Sequence, residues 1–134
     1  MIVMIQQGRL GNQVFQYLAL RSVATPAERI VLLGFGALDS VFEGVEATFM
    51  PIDSNPLKHL QSLDYSTWSG RLRRLPSTGT ITEGPHGEPL RRAGNHIDIV
   101  EPSWFQTSQA LTSPALPAMQ VRSRHLAAAQ AAAH

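Results

Sequence analysis

The first five residues, Met1 to Ile5, form an unbroken apolar run, and the chain changes character immediately after it. A continuous run containing Ile2, Val3 and Ile5 fits a strand buried on both faces, as in a parallel sheet. Gln6 and Gln7 end the run, and Gly8 and Gly11 free the backbone to turn. From Asn12 the spacing becomes helical. Val14, Phe15, Leu18, Ala19 and Val23 supply a broad apolar face, Asn12 is placed to cap the helix start, and Thr25-Pro26 stops it. Arg29 to Leu33 is a second short apolar run, so strand, helix and strand follow one another at the length of a βαβ unit. The predicted fold class is α/β, a Rossmann-like parallel sheet with flanking helices.

The rest of the chain extends that scaffold. Gly34-Phe35-Gly36 breaks the second strand, and the mixed periodicity of Val41 to Met50 leaves strand and short helix both open. Leu57, Leu60, Leu63, Trp68, Leu72 and Leu75 keep approximate helical spacing and predict one helix or two short ones. Ser77 to Pro89 is rich in Ser, Thr, Gly and Pro and reads as a surface loop around Gly84-Pro85-His86-Gly87. Ile97 to Val100 reads as a strand ended by Pro102. Residues 118–134 are Ala-rich and predict a helix whose small side chains need a close partner surface to dock stably.

Composition narrows the class without naming a function. A length of 134 residues suits a single domain, 1–134, with one core. At 43% hydrophobic and 16% charged residues the chain is globular in composition, and a net charge of +1 gives no general pull toward nucleic acid or anionic membrane. There are no cysteines, and the histidines (His59, His86, His96, His125, His134) lack zinc-site spacing, so no metal is expected. No apolar stretch approaches the roughly 18 residues of a membrane span, and Gln6, Gln7 and Arg9 break up any signal-peptide pattern. The expected location is cytoplasmic, with at most peripheral association with the inner membrane face.

Candidate chemistry concentrates in Gly8-Arg9-Leu10-Gly11-Asn12-Gln13. Arg9 offers a permanently charged planar fork for phosphate or carboxylate, Asn12 and Gln13 offer amides suited to sugar hydroxyls, and a helix start adds partial positive charge. The loop is not a Walker loop, which needs Lys and Ser or Thr where Asn12-Gln13 stand, and it lacks the third glycine of the dinucleotide fingerprint. On spacing alone, a phosphorylated or sugar-containing ligand and a plain strand–helix turn with a solvated Arg fit equally well.

The longer run Gly8-Arg9-Leu10-Gly11-Asn12-Gln13-Val14-Phe15-Gln16-Tyr17 resembles the opening of the α-1,2-fucosyltransferase family (glycosyltransferase family 11). That family typically has a short strand followed by G-G-L-G-N-Q-M-F-Q-Y, from which only Arg9 and Val14 depart. A G-R-x-G-N-Q variant is similar to the corresponding loop of protein O-fucosyltransferases. Ser103-Trp104-Phe105-Gln106-Thr107-Ser108 is similar to the family's G-Y-F-Q-S segment and follows in the right order.

The resemblance implies the N-terminal half of a two-domain, GT-B-type enzyme. Such enzymes transfer L-fucose from GDP-fucose to a galactoside hydroxyl, with inversion and with neither metal nor further cofactor. It implies substrate contacts at Gly8, Arg9, Leu10, Gly11, Asn12, Gln13 and Gln16, with Asn12 also supporting stabilisation of the leaving diphosphate. The family's H-x-R-R-G-D-Y signature, which holds that diphosphate, is absent from the 134 residues. Arg73-Arg74 and Arg91-Arg92 have the wrong followers to replace it and read as solvated surface charges. The expectation is therefore a fragment that lacks its C-terminal donor-binding domain and is inactive alone. The alternative is a non-catalytic accessory module that binds a nucleotide sugar or glycan. Trp68, Trp104 and Phe105 are expected in the core, and Asp39, Glu43, Asp53, Asp64 and Glu101 have no partner fixed by spacing.

Overall fold

In the computed structural model, which describes residues 1–51, 77–101 and 103–133, the first strand is the centre of the sheet. Strand β1 (Ile2–Ile5) leads into helix α1 (Leu10–Val23), and β2 (Ile30–Leu33) returns beside β1 in parallel. A short helix α2 (Gly36–Val41), a two-residue strand β3 (Phe42–Glu43) and strand β4 (Thr48–Met50) follow, with β4 parallel to β2. On the other side of β1 lie β5 (Thr78–Glu83), β6 (Pro89–Arg92) and β7 (Ile97–Val100). The order across the sheet is β4-β2-β1-β7-β5-β6, parallel throughout except for the β5–β6 hairpin. The architecture is thus α/β with a mixed six-stranded sheet and flanking helices. Strand β8 (Gln120–Val121) pairs with β3, and helix α3 (Ser123–Ala132) ends the described chain.

The core follows from the apolar runs. All four positions of β2 are buried, as expected for a strand covered on both faces. Ile2 and Met4 of β1 pack with Tyr17, Leu18 and Leu20 of α1 and with Phe35, Leu38, Ile81, Val100 and Phe105. Helix α1 begins earlier than the sequence suggested. Arg9 is its N-cap residue with no side-chain cap, so Asn12 lies inside the first turn and does not cap the helix. Its buried side includes Gln13 and Gln16, while Val14, Phe15 and Val23 are only partly buried.

The loop expected around Gly84-Pro85-His86-Gly87 is the turn of the β5–β6 hairpin, closed by Gly84 N–H donating to Glu88 C=O at 2.7 Å. Strand β5 before it carries no apolar run, because its interior side has only Gly79 and Ile81, with threonines between them. One further expectation is corrected. Arg91 is no solvated charge. Its guanidinium pairs with Glu28 and with Asp98, each at 2.5 Å, and donates to Val23 C=O at 2.7 Å. The Arg91 hydrogen bond holds the Glu28 carboxyl down to about 2, outweighing the opposing effect of burial. This network ties α1, β6 and β7 together beside the amino ends of β1 and β2. Arg92 is exposed, as expected.

The Ala-rich end is helical over Ser123–Ala132, preceded by a 3-10 turn at Leu116–Ala118 and by β8, so the predicted 118–134 helix starts late. No residue of α3 is buried, and Arg122 and Arg124 tether its start to the carbonyls of Asp39 and Ser40. The helix predicted over Leu57 to Leu75, with Trp68 and Arg73-Arg74, lies outside the described residues, as do Asp53, Asp64, His59 and His134. Among the described residues no helix is long and apolar enough to cross a membrane.

Candidate functional site

Strand β1 connects through α1 to β2 on one side, while β7 reaches β1 from the other. Ligands in open α/β sheets bind outside the carboxyl ends of the strands at such a switch point. Two loops leave the sheet there: Gln6 to Arg9 after β1, and Glu101 to Gln106 after β7.

Buried amide side chains lock these loops together. Gln16, fully buried, donates from Nε2 to the carbonyls of Gln7 and Ser103, each at 3.0 Å, and its Oε1 accepts the Gln7 N–H at 3.4 Å. Gln13, also buried, donates to Gln6 Oε1 at 2.9 Å and accepts the Leu38 N–H at 3.0 Å, which serves an otherwise free donor in the first turn of α2. Both glutamines are therefore positioning residues here; the hydrogen bonds of Gln16 use both of its amide protons.

Asn12 faces the crevice. Its Oδ1 accepts a 2.8 Å hydrogen bond from Gln106 Nε2, joining the two loops at an exposed point. Gly8 has φ +76, and a Cβ there would collide with the Asn12 amide and the Trp104 ring. Arg9 is exposed, and its guanidinium has no partner among the described residues. The first-turn N–H groups of α1 have no side-chain cap, so positive partial charge is presented next to Arg9 and Gly11. Leu10 is partly buried against the core and Gly11 is exposed.

The loop after β7 is held in an uncommon shape. Phe105 is fully buried at φ +51, a conformation that bulky residues rarely adopt. Glu83, at the end of β5, accepts the N–H groups of Trp104 and Phe105, one on each oxygen and each at 3.0 Å. Phe105 is in the core, as expected. Trp104 is not: it is 48% exposed and lies against Gly8. The Ser103 hydroxyl is buried without a hydrogen-bond partner among the described residues. Glu83 had no sequence signal beyond an acidic residue at the end of a Thr-rich stretch, whereas Gln106 lies within the segment already singled out.

Other features lie elsewhere. The Glu28–Arg91–Asp98 network sits at the opposite end of the strands. Burial raises the Tyr17 hydroxyl pKa, and that oxygen accepts the Glu46 N–H at 3.0 Å. A cavity of about 280 Å³ beside Tyr17, Arg21, Pro26, Glu46 and Ala115 shares no residue with the two loops. Among the described residues no group of three or more His, Cys, Asp or Glu is arranged to hold a metal.

The chain matches no protein-family model, no curated protein and no solved structure.

Proposed function

We propose that this chain is a fucosyltransferase-like sugar-nucleotide domain, with GDP-fucose as donor and a galactoside-type glycan as acceptor. It corresponds in this proposal to the N-terminal half of a GT-B-type enzyme. One observation carries the proposal: the two segments that resemble the family meet. Asn12 and Gln106, 94 positions apart, are hydrogen-bonded at the crevice where α/β sheets bind ligands.

The chemistry supports the same assignment. A diphosphate would face Arg9 and the uncapped start of α1, two sources of positive potential that need no metal. Asn12 would support the leaving group as charge develops on it. H-x-R-R-G-D-Y is not found in these 134 residues, and in this proposal its arginine would have to come from a separate donor-binding domain. The proposal includes a cytoplasmic setting with at most peripheral contact with the inner membrane face.

One observation favours the alternative, a non-catalytic nucleotide-sugar or glycan-binding module. Glu83, an acidic side chain beside the crevice, already uses both oxygens to hold backbone N–H groups, which suits binding better than general-base work by that residue.

Calorimetric titration with GDP and GDP-fucose tests the proposal. Binding is expected, with Arg9→Ala weakening it about tenfold and no GDP-fucose consumed by the chain alone. An unchanged affinity in Arg9→Ala rejects the diphosphate contact, and turnover by the chain alone rejects the half-site.

A further inference from the structure

Trp104 leaves about half of its surface in solvent, at 48% exposed, yet the backbone carrying it is fixed from several sides. Glu83 holds the Trp104 N–H. The next residue, Phe105, is anchored in the core at φ +51, and the preceding carbonyl of Ser103 is held by the buried Gln16. The ring lies against Gly8, where any side chain would collide with it. Among the described residues no other aromatic side chain is this exposed. The fold therefore presents a rigid aromatic face at the carboxyl end of β7, which core packing does not require.

Beside that face sit two amides. The bond from Gln106 Nε2 to Asn12 Oδ1 fixes both groups and leaves Asn12 Nδ2 and Gln106 Oε1 without a partner among the described residues. A donor and an acceptor side by side at the rim of an aromatic plane match a pyranose ring: its C–H face packs on the indole and neighbouring hydroxyls meet the amides. A nucleobase also stacks on indole, and the two ligand series below separate the two occupants.

We propose that the exposed face of Trp104 is the platform for the pyranose ring of the acceptor glycan, with Gln106 reading its hydroxyls and Asn12 standing between that ring and the leaving diphosphate. This rests on the sugar-nucleotide site proposed above and divides it, with the diphosphate at Arg9 and the start of α1 and the acceptor ring at Trp104 and Gln106.

The test follows the indole N–H signals of the full chain, with Trp104→Phe assigning the Trp104 signal. Methyl β-galactopyranoside is titrated in one series and GDP in another. The pyranoside is expected to shift the Trp104 signal, and GDP to shift the amides of Gly8 to Asn12 while leaving the indole in place. Followed at the side-chain amide signal of Gln106, which all variants keep, Trp104→Ala is expected to weaken pyranoside affinity about tenfold, and Trp104→Phe, which keeps an aromatic face, to retain most of it. If GDP moves the glycine loop and the pyranoside moves nothing, the platform is overturned and the donor site stands. If GDP, and not the pyranoside, moves the Trp104 indole, the ring is a base platform and the proposal is likewise overturned. If neither ligand moves any signal, platform and donor site fall together.

Discussion

Gln16 holds both arms of the crevice from the interior. Its amide protons are divided between Gln7 C=O and Ser103 C=O, on loops that follow adjacent strands. Gln16→Leu keeps the volume and removes the donors, leaving two carbonyls without them in a buried setting. A loss of about 2–4 kcal/mol is expected, measured by urea denaturation; a change under about 0.5 kcal/mol, the scale of an ordinary surface substitution, contradicts this role. The distinction between Asn12, at the crevice, and Gln13 and Gln16, inside, was hidden in the sequence because all three are polar amides at a helix start. The spacing did contain it. Gln13, Gln16, Tyr17 and Leu20 stand at i, i+3, i+4 and i+7, so the glutamines continue the stripe of Tyr17 and Leu20. A pattern that counts only apolar residues instead follows Val14, Phe15 and Val23, which are partly buried.

Between elements, the decisive tie is the ion-pair network joining β6, β7 and the residues leading into β2. Arg91 reaches Glu28 and the nearly buried Asp98 across the end of the sheet. Because the Glu28 carboxyl drops from an ordinary 4.5 to about 2 on folding, its contribution is complete above 4.5 and disappears as pH falls toward 2. Denaturation midpoints should therefore fall over that acid range. Glu28→Gln should flatten that part of the profile and cost about 2–4 kcal/mol at neutral pH, because it leaves a partly buried arginine underpaired. A midpoint that is as acid-sensitive in Glu28→Gln as in the parent chain would count against this network.

The dipeptide Arg91-Arg92 gave no hint of this, since only the hairpin turn after β5 sets β6 beside that strand, across which Arg91 reaches Asp98 on β7. Strand β5 was missed for a related reason: it is supported by neighbours on both sides, and its own sequence needs few apolar residues. The strands β1 and β2 were legible as continuous apolar runs, and β7 through Ile97, Ile99 and Val100 despite Asp98 among them.

At the scale of the molecule, the two ends of the sheet do different work. The amino ends carry the ion-pair network; the carboxyl ends carry strained Phe105, the uncapped start of α1, exposed Arg9 and exposed Trp104. The meeting of residues 8–17 with 103–108 could not be read from spacing, because it depends on β7 inserting between β1 and β5 although it comes after both.

The most direct measurement is an amide-resolved titration of the chain with GDP-fucose. The backbone signals of Gly8 to Asn12 and the side-chain amide of Asn12 are expected to move together along one binding curve, while those of Glu28, Arg91 and Asp98 stay in place. Motion confined to residues around the Tyr17–Arg21 cavity, or no motion at Gly8 to Asn12, would contradict it.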